Sequence, residues 1–333
     1  MKVVHFECGL GNQMTCFANY LLVKENNPDE DVLIEDLVYR IDREGLGYNQ
    51  WNGFELGDIF GLKFDNILDA APDPDALLRN MNEQYRIDKG ADNSRSAYTA
   101  LSKSGITLDL AGDFQHKTTF SDYLTGSSSN VISYSFKKLA YGAMRKLRKH
   151  DTSMFGHREG DCFYPLSFNV MKNGKALEAI DGKLRSALTF PEIPEGKNME
   201  ISKLIADCES VSIHARRSDF LQYNNDCYRY GFFRKAADHI RKNVKAPVFF
   251  VFSEDSAWCR DNSEILGLTE DDRVYHVDWN QGTESYRDMQ LMSMCRHNII
   301  TRSSFGWWAS YLNPNPGKIV IAQASEYCSK VYY

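Results

Sequence analysis

The 333-residue sequence predicts an α/β protein of two domains, the second of which is a parallel sheet flanked by helices. The length and the 43% hydrophobic content are sufficient for two compact domains with separate cores. Past residue 198, short apolar runs alternate with amphipathic helical segments, which is typical of parallel sheets with right-handed crossovers. Pro191, Pro194 and Gly196 lie in a charged segment and indicate a linker, so we expect domains at 1–190 and 198–333.

The first half begins with an apolar strand and a glycine turn. Gly9 and Gly11 allow a tight turn, and Asn12 is suited to open a helix that runs to residue 22. Strands are predicted in this half at 2–6, 32–34 and 106–111. We expect the region 36–95 to be rich in loops, with one apolar cluster. Its predicted members are Trp51, Phe54, Leu56, Ile59 and Phe60.

In the second half the apolar periodicity changes repeatedly between that of a strand and that of a helix. Strands are predicted at 211–213, 248–252, 274–276, 298–301 and 318–322. Helices are predicted at 199–207, 232–243, 256–262, 285–295 and 305–312. Because strands and helices alternate one by one, they predict a single parallel sheet with helices on its faces.

Composition and charge exclude several classes of protein. The formal net charge of −6 argues against a general nucleic-acid binder. Eight cysteines are scattered without a C-x-x-C pair, which favours a reducing compartment, and the N-terminus has too few apolar residues for a signal peptide or anchor. A cytoplasmic protein is therefore predicted. Asp73-Pro74-Asp75 matches the acidic D-x-D pattern of metal-dependent transferases, but it lies in an expected proline-broken loop, so no metal site is predicted.

Two adjacent arginines follow the apolar strand at 211–213, in the run His214-Ala215-Arg216-Arg217-Ser218-Asp219. Two guanidiniums side by side repel each other, and each carries five donors. A pyrophosphate, with its compact double negative charge, would satisfy both. The carboxyl end of a strand in an open α/β sheet is also where such ligands bind. Two ordinary arginines in separate surface salt bridges remain the alternative interpretation.

A second informative segment covers residues 288–308. Asp288 starts an apolar helical pattern, a buried strand follows at 298–301, and Ser303, Ser304 and Phe305 stand at the next helix start. Small hydroxyls and amides at a helix start form a favourable seat for phosphate. The alternative is a packed helix-strand-helix unit, whose methionines and tryptophans we expect in the core in either case.

Four blocks of sequence occur in an order that resembles glycosyltransferase family 11, the α-1,2-fucosyltransferases, in their bacterial form. The blocks are Gly9-Leu10-Gly11-Asn12-Gln13-Met14, residues 211–219, residues 249–255 followed by Trp258-Cys259, and residues 288–308. The resemblance is strong from about 211 to 313, clear at 1–20 and again in parts of 48–61, and poor from about 65 to 185. It implies a GT-B-like fold of two Rossmann-like domains facing each other across a cleft. The domain at 1–190 would bind the acceptor, and the domain at 198–333 would bind the GDP-sugar.

The resemblance implies an inverting transfer of L-fucose from GDP-β-L-fucose to the 2-hydroxyl of a terminal galactoside. The product would carry an α-1,2 linkage in a bacterial surface glycan. The implied partners are GDP-fucose and a galactose-terminated oligosaccharide, without a metal or other cofactor. A GDP-fucose-dependent transferase of another linkage and a non-catalytic GDP-sugar-binding protein are the alternatives.

The same resemblance assigns roles to single residues. Arg216 and Arg217 would stabilise the charge that develops on the leaving diphosphate. One would contact the β-phosphate and the other would support the loop, and Arg217 is taken as the contact. His214 would hydrogen-bond the nucleotide or phosphate, and Asp288 would accept from guanine N1 and N2. The remaining expected donor contacts are Ser303, Ser304, the amide of Phe305 and, from the opposite domain, Gly11 and Asn12.

The general base is left open by the sequence. Asp219 is the acid nearest the arginines, and it either accepts the proton of the acceptor hydroxyl or serves as their counter-ion. Glu7 stands where the family has a glycine-rich run, which makes it a second candidate. A strongly dissociative transition state would need no dedicated base.

A basic segment at 137–150 contains six Lys or Arg residues and no acid. Leu139, Ala143, Met144 and Leu147 fall on one helical face, although Gly142 interrupts it. A basic amphipathic helix of this kind binds anionic membrane surfaces. The sequence therefore allows two interpretations of this segment, a peripheral membrane contact and a solvated basic face.

Overall fold

The computed structural model describes residues 1–42, 52–114, 124, 127–147 and 151–323. The chain divides into two compact units. The first unit consists of Met1–Lys117 and His150–Pro191, and the second unit consists of Thr118–Lys149 and Glu192–Tyr333. The later boundary, between Pro191 and Glu192, falls in the charged, proline-containing segment.

The helices of the described residues are numbered along the chain. They are α1 (Leu10–Asn26), α2 (Glu55–Phe60), α3 (Ile67–Ala70), α4 (Pro74–Asp88), α5 (Asn93–Lys103), α6 (Val131–Leu147), α7 (Gly174–Ala187), α8 (Lys197–Ala206), α9 (Leu221–Arg229), α10 (Phe232–Asn243), α11 (Ser256–Asp261), α12 (Tyr286–Met294) and α13 (Ser304–Leu312).

The first unit is built around a parallel sheet with the strand order β2-β1-β4-β3. Its strands are β1 (Lys2–His5), β2 (Val32–Glu35), β3 (Asp109–Leu110) and β4 (Cys162–Tyr164). Every residue of β1 and β4 is buried, as expected for the inner strands of a parallel sheet. One apolar cluster joins this sheet to α4 and α5, and it includes Val3, Leu77, Met81, Tyr85, Ala97, Leu101 and Phe163.

The expectation that 36–95 would be rich in loops is wrong for much of that region, where α2 to α5 form. The expected proline-broken loop at Asp73–Asp75 is instead the start of helix α4. Asp73 is the N-cap and accepts from the backbone N–H of Ala76 at 2.9 Å. Pro74 occupies the first helical position, where its missing N–H is not needed. The D-x-D match at Asp73 and Asp75 therefore lies at a helix start. Trp51 of the expected apolar cluster lies outside the described residues.

The second unit is also built around a parallel sheet, with the strand order β7-β6-β5-β8-β9. Its strands are β5 (Glu209–His214), β6 (Pro247–Phe252), β7 (Arg273–Val277), β8 (His297–Ile300) and β9 (Val320–Ala322). Each predicted strand of this half is found within a few residues of its predicted position. The strands could be distinguished from the helices in the sequence because β5, β6 and β8 are buried on both faces. The α/β fold with two Rossmann-like parallel-sheet units is thus confirmed, each unit taken by itself.

Residues 118–149 belong to the second unit rather than to the predicted first domain. The described contacts explain this grouping, because the backbone N–H and the hydroxyl of Ser128 both donate to the Asp226 carboxylate, at 2.8 and 2.7 Å. The Tyr134 ring of α6 stacks on Tyr230, with centroids 4.4 Å apart. Within the described residues, no helix has the length and apolarity needed to cross a membrane.

Candidate functional site

The strand order of the second unit creates a topological switch point between β5 and β8. The chain leaves β5 for β6 on one side and later returns to β8 on the other, which opens a crevice at the carboxyl ends of these strands. The loops after β5, β6 and β8 share this edge of the sheet. These loops carry residues 214–217, residues 253–255 and residues 301–304.

Arg217 is held inside the second unit. Its guanidinium carbon lies 3.3 Å from the centre of the Trp258 ring and 5.0 Å from that of Tyr228. Its Nε donates to Asp255 Oδ2 at 2.9 Å, and its backbone N–H donates to Glu254 Oε1 at 2.6 Å. Only 10% of this side chain is exposed, so Arg217 fixes the loop after β5 to the loop after β6.

Arg216 has a fixed backbone and a more accessible side chain, 27% of which is exposed. Its N–H donates to Thr301 Oγ1 at 3.2 Å, and its carbonyl accepts from the Tyr228 hydroxyl at 2.9 Å. The guanidinium lies 5.1 Å from the Phe220 ring, and its Nη1 is 3.6 Å from Glu254 Oε1. Two separate surface salt bridges do not describe this pair, because Glu254 contacts both arginines and Arg217 is buried.

In each unit a non-glycine residue with positive φ follows the first strand of the parallel sheet, β1 or β5. Cys8 follows β1 with φ of 66°, and Ser218 follows β5 with φ of 34°. Non-glycine residues rarely adopt positive φ, and such strain persists only where the surrounding structure imposes it, often at ligand sites. These two loops are therefore candidate ligand loops.

His214, the last residue of β5, is buried and neutral. Burial, and next the charge of Arg216, lowers the pKa of His214 to about 3. Its Nδ1 has no hydrogen-bond partner among the described residues, and its ring lies 5.7 Å from that of Phe305. A Cβ on Gly306 would lie 2.6 Å from His214 Nδ1, so this position has room for glycine alone. A buried ring nitrogen without a protein partner is expected to bind a ligand or a water molecule.

Helix α13 starts at the carboxyl end of β8. Ser303, its N-cap, has extended backbone, and its side chain makes no capping hydrogen bond in this described segment. The backbone amides of the first turn of a helix, here including that of Phe305, point out of the helix start. Together with the positive end of the helix dipole, they make this turn suitable for an anionic group.

Asp288 lies in the first turn of α12, which follows β7. Burial raises the pKa of Asp288 to about 7, although Asn280 Nδ2 donates to its Oδ1 at 2.7 Å. Asn280 is held in turn by Asn198, whose Oδ1 also accepts from the Trp279 indole N–H at 2.7 Å. The carboxyl group is therefore fixed in place, with one oxygen bound to an amide from the loop after β7.

In the first unit, α1 begins at Leu10 with Gly9 as its N-cap. The expectation that Asn12 opens this helix is wrong, since Asn12 stands in the first turn and its N–H donates to Gly9 O at 2.9 Å. The glycine provides the extended cap backbone without a side chain, and the Asn12 side chain instead hydrogen-bonds Cys8. Gly11 lies in the same first turn.

Gln13, in the first turn of α1, is not among the site residues predicted from the sequence. Its amide donates to Cys8 O at 2.9 Å and to Gly53 O at 2.8 Å, and its carbonyl accepts from the Glu55 N–H at 2.8 Å. The hydroxyl of Tyr39 donates to the same Cys8 carbonyl at 2.6 Å. The glycine turn after β1 is thus fixed to the segment that precedes α2.

Glu7 lies beside a buried ion pair of the first unit. His5 Nδ1 contacts the Glu35 carboxylate, and His5 Nε2 is 3.5 Å from Glu7 Oε2. Burial by itself lowers the pKa of His5, but the adjoining Glu35 carboxylate outweighs it and raises this pKa to about 10. A charged imidazolium therefore stands next to Glu7, whose side chain is 13% exposed.

The structure brings six of the predicted site residues to the edge formed by β5 and β8: His214, Arg216, Arg217, Ser303, Ser304 and Phe305. Asp288 lies in the first turn of α12 of the same unit. Gly11 and Asn12 belong to the other unit, and the side chain of Asp219 lies outside the described part. Tyr228, Glu254, Asp255 and Trp258 contact the arginine pair and are not among the predicted site residues, although the last three belong to the third block of the resemblance. For the two acids a signal existed, since they directly follow the buried strand β6. Among the described residues, no three His, Cys, Asp or Glu side chains are grouped as a metal site.

A parallel sheet of Rossmann strand order, with a cationic loop and a helix start at its switch point, is typical of proteins that bind nucleotides or nucleotide-linked ligands. The comparison with known families agrees with this class. The model of glycosyl transferase family 11 matches residues 121–331, and the chain belongs to this family.

Among the curated relatives, galactoside alpha-(1,2)-fucosyltransferase 1 of Lagothrix lagotricha is 36% identical over 107 residues. The same enzyme of Ateles belzebuth is 35% identical over 107 residues. In both cases the match covers 31% of this chain and 28% of the relative, so the similarity spans less than a third of either protein.

The structure is similar to several solved structures, which include NodZ alpha-1,6-fucosyltransferase soaked with GDP-fucose. It is 13% identical, with a TM-score of 0.42 and coverage of 94% of this chain and 92% of that one. Arabidopsis thaliana FUT1, as a mutant in complex with GDP, is 12% identical with a TM-score of 0.46, covering 97% and 70%. These similarities are too distant to assign a ligand or a residue role.

Proposed function

We propose that this protein transfers L-fucose from GDP-β-L-fucose to the 2-hydroxyl of a terminal galactoside, with inversion at the transferred carbon. Membership of glycosyl transferase family 11 and the matched segments of galactoside alpha-(1,2)-fucosyltransferases support this activity. The observation that carries it is the arginine pair at the switch point, with Arg217 fixed inside the protein and Arg216 accessible beside a helix start.

Arg216 is the proposed contact of the β-phosphate. Negative charge builds on the leaving diphosphate as the glycosidic bond breaks, and a preorganised cation stabilises that charge at little reorganisation cost. Arg217 is proposed as a positioning residue, because its guanidinium is already engaged by Asp255 and Trp258. This assignment reverses the roles expected from the sequence, in which Arg217 is the phosphate contact.

Three further groups complete the proposed donor site. The amides at the start of α13, with Ser303 and Ser304, would bind phosphate oxygens, and neutral His214 would hydrogen-bond the nucleotide through its buried ring nitrogen. Asp288 would accept the N1 and N2 hydrogens of guanine, which would compensate the burial that raises its pKa. Gly11 and Asn12 are proposed to contribute from the first unit.

The proton of the acceptor hydroxyl is proposed to go to Asp219, and Glu7 is the second candidate. Within the described residues, Glu254 and Asp255 are carboxylates that contact the arginine pair. Single substitutions of Asp219 and Glu7 by the matching amides distinguish the two. The base variant would keep its affinity for GDP and lose turnover.

We further propose that the reaction needs no metal, that it takes place in a cytoplasm, and that the product belongs to a surface glycan. The arginines would supply the positive charge that a divalent cation supplies in metal-dependent transferases. The acceptor contacts are proposed to come from the divergent segment at about 65–185.

The test is the release of GDP from GDP-fucose with lactose as acceptor, followed by linkage analysis of the product by NMR. An α-1,2-linked product is expected. A product with another linkage would make the protein a different GDP-fucose transferase. Thermal stabilisation by GDP without any transfer, tested over several galactosides, would make it a GDP-sugar-binding protein.

A further inference from the structure

Helix α6 turns large apolar side chains outward from the second unit. Val131, Ile132, Phe136 and Leu139 are exposed by 60%, 78%, 58% and 78%. Ile132, Phe136 and Leu139 follow the i, i+4, i+7 spacing of one helix face. Four of the seven large hydrophobic side chains that are exposed in the described structure therefore lie on nine residues of one helix.

The opposite face holds the helix firmly to its own unit. The Tyr134 ring stacks on Tyr230, and Lys137 is buried and donates to Ser127 O at 3.1 Å. Tyr141 is also buried, one turn further along. The outward position of the apolar face is thus fixed by packing on the other side of the helix.

The exposed face differs from the one expected from the sequence. The expected face at Leu139, Ala143, Met144 and Leu147 was small, whereas the exposed one begins at Val131, six residues before the basic segment. Lys137 is buried and Lys138 is exposed, and Arg145, Lys146, Arg148 and Lys149 follow them in the sequence. Residues 131–150 contain no Asp or Glu in a chain of net charge −6.

These features restrict the chemistry of the partner. An apolar helix face flanked by cations and free of acids fits an anionic, partly apolar surface. A second copy of this chain, joined across a two-fold axis, would bring two basic helices together and would be repelled. The interface of a bilayer with anionic headgroups offers both the apolar layer and the negative charge.

We propose that α6 lies in the plane of an anionic lipid surface, with Ile132, Phe136 and Leu139 inserted among the lipid chains and the basic residues at the headgroups. This docking surface is independent of the proposed transfer reaction. It would hold the protein at a membrane without a membrane-spanning helix, where a lipid-linked acceptor could be reached.

The test is co-sedimentation of the full chain with vesicles of phosphatidylcholine alone and of phosphatidylcholine mixed with phosphatidylglycerol. Binding is expected to the mixed vesicles, to weaken as the NaCl concentration rises and to be much lower on neutral vesicles. Ile132→Asp should reduce the partition coefficient by about tenfold or more, because it removes inserted apolar surface and adds repulsion.

Ile87→Asp is the matched control, since Ile87 is 60% exposed on α4 of the first unit and the same charge is added. It should bind vesicles like the unmodified protein. Replacing Arg145, Lys146, Arg148 and Lys149 by Gln should weaken the binding and flatten its salt dependence, with turnover on lactose unchanged. Equal binding of Ile132→Asp and Ile87→Asp, equal binding to both vesicle types, or a dimer that Ile132→Asp dissociates would each overturn the proposal.

Discussion

Arg216 and Arg217 are neighbours in sequence with different environments. The guanidinium of Arg217 lies against Trp258 and binds Asp255, whereas the side chain of Arg216 is the more exposed of the two. Because the side chain of Arg217 is 10% exposed and that of Arg216 is 27% exposed, we propose Arg216 for the substrate and Arg217 for the loop. Substitution of each residue should therefore affect catalysis and stability in different proportions.

Arg216→Ala should lower kcat by about 100-fold or more and leave the melting temperature close to that of the unmodified protein. Arg217→Ala should lower both, because it leaves the Asp255 carboxylate without its partner and the Trp258 ring without its stacked guanidinium. Arg216→Lys should restore only part of the loss, since a point charge does not replace the planar fork. GDP release and circular dichroism measure the two effects. Near-normal turnover of a folded Arg216→Ala would contradict this division.

Asp288 should make the binding of GDP dependent on pH. Burial raises its pKa to about 7, and the ionised carboxylate is the form that accepts both guanine hydrogens. The affinity for GDP relative to that for ADP should therefore rise as the pH increases toward about 7 and level off above it, because titration of the diphosphate is common to both nucleotides. Asp288→Asn should remove this pH dependence and reduce the preference for GDP, as measured by calorimetry between pH 6 and pH 8 (about one unit on either side of this pKa).

Asp278→Asn is the control for that experiment. Asp278 also follows β7, but its carboxylate is more than a third exposed and pairs with Arg260. The charge of Asp278 contributes to the raised pKa of Asp288, so Asp278→Asn should keep the pH-dependent affinity for GDP and move its midpoint to a lower pH. Equal affinities of the unmodified protein for GDP and ADP would show that Asp288 does not recognise the guanine base.

At the scale of elements, the site depends on how closely α13 approaches β5. Gly306 meets the ring of His214, and Thr301 donates through its hydroxyl to His214 O at 3.2 Å. The start of α13 and the end of β5 are therefore packed together. A methyl group added at Gly306 would disturb this contact and so the position of the amides in the first turn of α13.

Gly306→Ala should lower kcat by about tenfold or more and lower the melting temperature, because a Cβ at 2.6 Å from His214 Nδ1 forces the ring or the helix to move. Gly182→Ala, in the middle of α7, is the matched control. An added Cβ there meets no atom within 4 Å, and alanine should stabilise the helix by about 0.5–1 kcal/mol. If Gly306→Ala had the same kcat and the same change in melting temperature as Gly182→Ala, the close contact between Gly306 and His214 would not be needed for activity.

At the scale of the whole molecule, the sequence predicted the second unit better than the first. Strands β5, β6 and β8 are buried along nearly their whole length, and each contributes apolar residues between two helical segments, as a continuous run in β6. Strand β4 has three residues, too few for a periodic pattern, and its place between β1 and β3 depends on pairing with distant residues. Asp73 and Pro74 are a local indication of the start of α4, although the sequence-based expectation for them is a proline-broken loop.

The same limit applies to the candidate site. The arginine pair and the helix start at Ser303 to Phe305 could be located from local sequence, because strand ends and helix starts are local features. The division between Arg216 and Arg217 could not, since Asp255 lies 38 residues beyond Arg217 and meets it only through the pairing of β5 with β6. The grouping of residues 118–149 with the second unit likewise depends on Asp226, which lies 98 residues beyond Ser128.

The remaining prediction concerns the charge of the whole site. If Arg216 and the α13 amides neutralise the diphosphate, transfer to lactose should persist in excess EDTA at a rate within about twofold of that without it. The Asp73 carboxylate of the D-x-D match caps α4 and accepts from the Ala76 N–H, which gives it a structural role. Initial rates of GDP release before and after EDTA treatment measure the effect. Activity that disappears in EDTA and returns with manganese or magnesium would show that a cation, rather than the arginines alone, carries the leaving-group charge.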